Sequence, residues 1–141
     1  MKKDIEITVS GIQQDDAGHR TVTDYKAQGQ YFERDGCRYV LYEEQDDESK
    51  AVTHNTLKIK DRSLELIRRG NVSSHMIFAP GAPRPTDYGT AYGTLRLEVD
   101  TEDLNCLWEY TEAAIEITYS LSMNGELLSR NKLVIKINFI C

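Results

Sequence analysis

The sequence has few of the residues that build disulfide scaffolds, zinc sites or membrane helices. Its three cysteines, Cys37, Cys106 and Cys141, lie far apart, with no CxxC pair and no zinc-ligand spacing. We therefore expect three reduced thiols, the usual state of cysteine in the cytosol. No apolar run approaches the roughly 20 residues that a membrane-spanning helix needs.

The charge balance and the first residues exclude further classes. The formal net charge is −6, and basic residues cluster only at Lys2-Lys3 and Arg68-Arg69. Nucleic acids and anionic membranes both favour a basic surface, so we expect neither as a partner. Asp4 and Glu6 interrupt the apolar stretch that a signal peptide would need after the two lysines, which predicts a cytoplasmic protein.

Motifs that carry catalysis or hold cofactors are also missing. The sequence contains no GxGxxG, GxxxxGK[ST], GxSxG or HExxH. His19, His54 and His75 show no ligand spacing, and the acidic run 43–48 lacks the central glycine of a calcium-binding EF-hand loop. We expect no cofactor and no metal site, and we favour a non-enzymatic role.

What the sequence does contain is a period-two alternation of apolar and polar residues, typical of antiparallel strands with one buried face. Asp35-Gly36 and Asn124-Gly125 separate such runs and predict type I′ hairpin turns, which need positive φ at both central residues. The pattern predicts nine strands, at 4–14, 19–34, 37–45, 52–60, 64–69, 72–79, 88–102, 106–122 and 126–139.

We predict that these strands form one all-β domain over residues 1–141, a single closed antiparallel barrel of about 8–10 strands. Closure removes the free edges that hairpin-linked strands would otherwise expose, and a two-sheet sandwich is the alternative. Gly93 is expected to mark a bend or bulge within 88–102. Proline cannot donate to a strand ladder, so the segment Pro80–Asp87 is expected to leave the sheet as a stiff loop over one end.

Strand parity predicts two charged side chains inside the barrel. Arg68 shares a face with Leu64 and Leu66, and Glu43 shares a face with Tyr39. An unpaired charge is too costly to bury, so the two would pair with each other or with tyrosine hydroxyls, or Arg68 would meet an anionic ligand. The alternative is that Arg68 lies at the strand end and extends into solvent.

Several of these residues also carry a family resemblance. The sequence resembles the YwiB-like family of uncharacterised bacterial proteins, whose pattern is R-x-G, S-x-M-x-F, a variable loop, Y-x-T-P-Y-G and a strand closing in Thr. The matching residues here are Tyr42, Glu43, Glu44, Arg68, Gly70, Ser74, Met76, Phe78, Tyr88, Thr90, Tyr92, Gly93 and Thr101, with Ala91 in place of the proline. The resemblance implies a lipocalin-like (calycin) barrel and transfers no catalytic residue.

The hypothesis we favour is a non-enzymatic cytoplasmic barrel that binds a small, partly apolar ligand, either anionic or uncharged, at its mouth or in its interior. The residues expected to form this site are Arg68, Glu43, Tyr39, Tyr88 and Tyr92, with the proline-rich loop as a rim. An eight-stranded barrel has room for either packed side chains or one small ligand, so a hollow interior is the condition for this function.

Two other functions remain open at this point. A packed barrel would favour a protein-interaction module or a homodimer, using an outer apolar face that parity assigns to Val40, Tyr42 and Ile67. An enzyme would need Glu43 or Glu44 as an acid or base beside a tyrosine in a cleft.

Overall fold

The protein, seen in a computed structural model, is all-β. The structure describes residues 2–90 and 92–140, with Thr90 described by its backbone alone. Within these residues it has no helix, and therefore none that could cross a membrane. The described residues form ten strands: β1 (Lys3–Asp15), β2 (Arg20–Arg34), β3 (Cys37–Gln45), β4 (Val52–Ile59), β5 (Leu64–Gly70), β6 (Ser74–Phe78), β7 (Arg84–Thr90), β8 (Gly93–Trp108), β9 (Glu112–Met123) and β10 (Glu126–Phe139).

The strands form one antiparallel sheet that curls into a nearly closed barrel. The strand order is β6-β5-β4-β3-β2-β1-β10-β9-β8-β7, so the first strand pairs with the last, and Ile7 lies opposite Ile137. The two sheet edges, β6 and β7, meet at a bridge between Ser73 and Gly89. Each residue donates its N–H to the other's carbonyl, at 3.0 and 2.7 Å. The prediction of an antiparallel barrel is thus confirmed, with closure carried by this seam.

The seam is joined at one end only. Continuing the register of its bridge would place Asp87 opposite His75 and Pro85 opposite Ile77. The Thr86 hydroxyl donates to the carbonyl of His75 at 2.8 Å, and Pro85 has no N–H to offer. Among the described residues, the β6–β7 ladder therefore ends after the bridge, while the remaining neighbours in the sheet are paired along their lengths.

The predicted boundaries of the strands 88–102 and 106–122 are wrong, because β8 continues to Trp108 and β9 begins only at Glu112. Residues 84–90 form β7, and β8 begins at Gly93, so Tyr88 lies opposite Leu95 across a hairpin. Gly93, with φ of 131°, begins the second strand of this hairpin and does not bend a single strand. Pro85 is inside β7, which is possible because β7 borders the seam, where a missing N–H breaks no ladder.

Two predicted hairpin turns are confirmed. Asp35-Gly36 has φ values of 53° and 76°, and Asn124-Gly125 has φ values of 52° and 81°. These turns lie at opposite ends of the barrel, so we call the end with Asn124-Gly125 the upper end and the end with Asp35-Gly36 the lower end.

The lower half of the interior is packed with apolar side chains. Complete burial of one such side chain is worth about 1.5–3 kcal/mol, so this half supplies most of the hydrophobic stabilisation. Its buried residues are Ile5, Ile7, Tyr31, Val40, Leu57, Ile59, Leu64, Phe78, Ala113, Ile115, Ile117, Ile135 and Ile137.

Candidate ligand-binding site

The upper half of the barrel contains a cavity of about 450 Å³. Gly11, in β1, contributes no side chain to its wall, and a Cβ built there would have only Leu133 Cδ1 near it, at 4.0 Å. The cavity is lined by Val9, Gly11, Gln13, Thr23, Tyr25, Tyr42, Glu44, Leu66, Arg68, Met76, Tyr88, Leu95, Leu97, Tyr119, Leu121, Leu128, Ser129, Asn131 and Leu133.

An ion pair between Arg68 and Glu44 forms the polar centre of this cavity. Arg68 Nη2 donates to Glu44 Oε1 at 2.7 Å, and Arg68 Nε donates to Asn55 Oδ1 at 3.1 Å. Asn55 Nδ2 in turn donates to the same Glu44 oxygen at 3.1 Å. Asn55 lies on β4, between the two charged strands, and is only 2% exposed. It therefore holds both charged side chains in place.

Two tyrosine hydroxyls extend the polar group on one side of the ion pair. The Tyr25 hydroxyl lies 3.3 Å from that of Tyr42 and 3.5 Å from Glu44 Oε1, within donor distance of either. Burial raises the pKa of both Tyr25 and Tyr42 above the ordinary value. Both phenols therefore stay protonated at neutral pH and act as hydrogen-bonding groups, not as bases.

Arg68 keeps its positive charge inside the barrel. Burial alone would lower the pKa of Arg68, but the pKa is raised above the ordinary value, and the contacting Glu44 carboxylate is the main cause of the rise. The site therefore has a fixed guanidinium with its counter-charge already in contact.

The facing wall is polar but uncharged. On β10, Asn131 Nδ2 donates to Ser129 Oγ at 3.1 Å, and both residues are more than nine-tenths buried. Gln13 lines the same side from β1. Within the described residues, the buried hydroxyls of Ser74 and Thr101 have no hydrogen-bond partner in the protein.

The structure brings two of the five predicted site residues together. Arg68 and Tyr88 both line the cavity, and Leu64 and Leu66 are buried on the same face as Arg68, as parity predicts. Tyr92 is fully exposed on the β7–β8 hairpin, away from the cavity lining. The departure from the family pattern at Ala91 lies outside the described residues, as does Cys141.

The predicted face of β3 is wrong. Glu43 is exposed and contacts His54 Nδ1 at 3.1 Å, and Tyr39 stacks on Phe32 with ring centroids 4.8 Å apart. β3 carries apolar residues on both faces, so alternation alone does not choose between them. The interior face of β3 is instead the one that carries Val40, Tyr42 and Glu44.

Two further predictions fail for related reasons. Val40 and Tyr42 are buried in the interior, so they cannot form the outer apolar face proposed for a protein partner. The expectation that all of Pro80–Asp87 leaves the sheet is wrong, because β7 begins at Arg84. Only residues 79–83 form a loop, which lies at the lower end between Phe78 and Arg84. It therefore cannot form a rim around the upper cavity.

Sequence reasoning named Glu44 only as an alternative acid or base of an enzyme, and it missed Asn55 and Tyr25 as site residues. Asn55 had a usable signal, because it shares its face of β4 with Leu57 and Ile59, so a polar side chain there must point inward. The assignment of Glu44 to the interior depended on which face of β3 points inward. The assignment of Tyr25 depended on the same choice for β2, which has few apolar residues to indicate its inner face.

Comparison with known proteins agrees with this architecture. The uncharacterized beta-barrel protein YwiB of Bacillus subtilis (strain 168) is 26% identical over 128 residues, which cover 89% of this chain and 88% of that protein. The crystal structure of ywiB protein from Bacillus subtilis superposes with a TM-score of 0.86 at 20% identity, over 99% of this chain and 94% of that one, and shows the shared fold. Residues 7–135 match the family described as a domain of unknown function (DUF1934), so the predicted resemblance is confirmed and the chain belongs to that family.

Proposed function

We propose that the protein is a non-enzymatic barrel that binds a small, partly apolar organic molecule in its upper cavity. The observation that carries this proposal is a cavity of about 450 Å³ that holds a hydrogen-bonded ion pair beside leucine and methionine side chains. Ligand sites are usually apolar clefts of about 300–1,000 Å³ with a few well-placed polar groups, and this cavity has that character.

The contrast with the lower half supports a binding role. The chain fills the lower interior with isoleucine and leucine, so nothing in the barrel geometry prevents close packing. A buried ion pair is seldom the most stable choice, because apolar residues of similar volume often stabilise a protein as well or better. Arg68, Glu44 and Asn55 are thus better explained by recognition of a ligand than by stability.

The same contacts favour binding over acid–base catalysis. Glu44 and Tyr25 do lie side by side, as an enzyme would require. However, burial raises the pKa of Tyr25, which moves it away from the neutral range where a general acid or base works best.

The proposal is tested by filling the cavity at Gly11. N-phenyl-1-naphthylamine, a neutral dye that fluoresces in apolar surroundings, is titrated into wild type and into Gly11→Ala, Gly11→Leu and Gly11→Phe. Gly11→Ala leaves the cavity open, since its Cβ has ordinary contacts, and should bind like wild type. Affinity should fall as the side chain grows, with binding lost in Gly11→Phe.

Far-UV circular dichroism of each variant checks that the barrel is intact. Equal dye binding by wild type and a folded Gly11→Phe would place the dye elsewhere and contradict the proposal. Absence of dye binding by wild type would contradict it as well.

A further inference from the structure

Building on the proposed function, we infer the chemical class of the ligand's polar head. The head is net neutral and carries a hydrogen-bond acceptor beside a donor, as in a zwitterion or a primary amide, and is not a simple anion. Three observations lead to this inference: the charges inside the cavity, the charges at its entrance and the unused atoms of the ion pair.

The charges that line the cavity sum to zero. Arg68 and Glu44 are the only charged side chains of its described lining, and the rest are phenols, amides, hydroxyls or apolar groups. The pair is well shielded, with the two side chains 20% and 28% exposed. An anion at Arg68 would put a second negative charge next to Glu44, and a cation at Glu44 would face Arg68 in the same way.

The entrance adds to the bias against anions. An outer cleft of about 780 Å³ shares Thr23, Tyr25, Glu44 and Arg68 with the cavity. Its described lining also includes the carboxylates of Asp24, Glu43, Asp46 and Asp47, and one further cation, Lys26. Five carboxylates against two cations make this cleft negative, so an anion that approaches Arg68 from the cleft is repelled.

The ion pair still offers hydrogen-bonding atoms. Contacts with Asn55 and Glu44 use two of the five N–H groups of the Arg68 guanidinium. The contacts that Glu44 makes with the described residues all use Oε1. Within the described residues, neither side chain has a fully buried polar atom that lacks a partner, so Glu44 Oε2 and Arg68 Nη1, which make no contact there, are accessible to a ligand. A ligand head group with an acceptor beside Arg68 and a donor beside Glu44 Oε2 would use these remaining hydrogen-bonding atoms.

The test uses four probes of six carbons that differ in head-group charge: norleucine, hexanamide, hexanoate and hexylammonium. Isothermal titration of the wild type should give norleucine or hexanamide on the order of tenfold tighter binding than either singly charged probe, because misplaced like charges are strongly disfavoured. The ratio of norleucine to hexanamide affinity separates a zwitterionic head from an amide head.

Variants of the pair should reverse the preference. Glu44→Gln leaves Arg68 uncompensated and should select hexanoate, while Arg68→Gln should select hexylammonium. Glu116→Gln makes the same change of charge on the exposed face of β9, outside the lining of the cavity and of the outer cleft, and should keep the wild-type order. Circular dichroism confirms the fold of each variant.

The outcomes separate this inference from the proposed function. If wild type binds the naphthylamine dye but prefers hexanoate, or binds none of the four probes, the head-group inference is overturned and the binding function stands. If wild type does not bind the dye, both are overturned. A shift of preference in Glu116→Gln equal to that in Glu44→Gln would also overturn the inference.

Discussion

The two halves of the barrel use the same strands for different purposes. On β4, Leu57 and Ile59 face the packed lower interior, whereas Thr53 and Asn55 occupy the same face in the upper half. The residues that stabilise the fold and the residues near the candidate site therefore lie on the same strands, at different heights along the barrel. The period-two pattern continues unchanged, and only the inward residue type switches from apolar to polar.

The same switch occurs on β10. Ile135 and Ile137 are buried below, and Ser129 and Asn131 are buried above. Since apolar burial scales with the area removed from water, the lower half can stabilise the fold while the upper half keeps space and polar groups. Mutations should therefore act differently in the two halves.

The largest difference should come from matched leucine truncations. Leu57→Ala, in the packed half, should lower the free energy of unfolding by about 2–5 kcal/mol. Leu133→Ala, at the cavity wall, should lower the free energy of unfolding by only roughly 1–2 kcal/mol, because the Leu133 side chain has no packing partners on the side that faces the cavity. Urea denaturation measures both, and equal losses would mean that the upper half is packed as tightly as the lower.

A smaller effect should appear at alkaline pH in the upper half. Burial raises the pKa of Tyr119 from 10.0 to about 12. The folded state then holds a proton that the unfolded state loses, so the stability from this group is complete below pH 10 and declines between pH 10 and 12. At pH 11, which is one unit above the pKa of the unfolded state, the loss in free energy of unfolding is about 1.4 kcal/mol.

Tyr119→Phe removes this titration. Wild type should lose about 1.4 kcal/mol more than the variant between pH 8 and pH 11 in chemical denaturation. Parallel pH profiles for the two proteins would show that Tyr119 ionises alike in the folded and unfolded states.

The smallest effects should be the same at both ends of the barrel. Gly36 and Gly125 have φ values of 76° and 81°, and a Cβ at either would meet no atom within 4 Å. Gly36→Ala and Gly125→Ala should each cost about 1 kcal/mol, purely from the left-handed backbone conformation. Thermal unfolding compares them, and a large difference would show that one turn is held by tertiary contacts.

These turns show what the sequence by itself determined. The all-β class, the antiparallel pairing, the turns at Asp35-Gly36 and Asn124-Gly125 and most strand boundaries follow from local rules. These rules act over a few residues, because they rest on backbone dihedral preferences and on period-two alternation, so they need no tertiary contacts. The inward direction of Arg68 also belongs here, because Leu64 and Leu66 fix the face of β5.

The site itself was decided by tertiary structure. Arg68 and Glu44 are 24 positions apart on strands separated by β4, and only the registers of β3, β4 and β5 bring them to 2.7 Å. A one-residue change of face exchanges Glu43 for Glu44, and a strand that is apolar on both sides leaves that choice to packing. The cavity likewise exists only after closure, because its volume is the space that ten strands together leave unfilled.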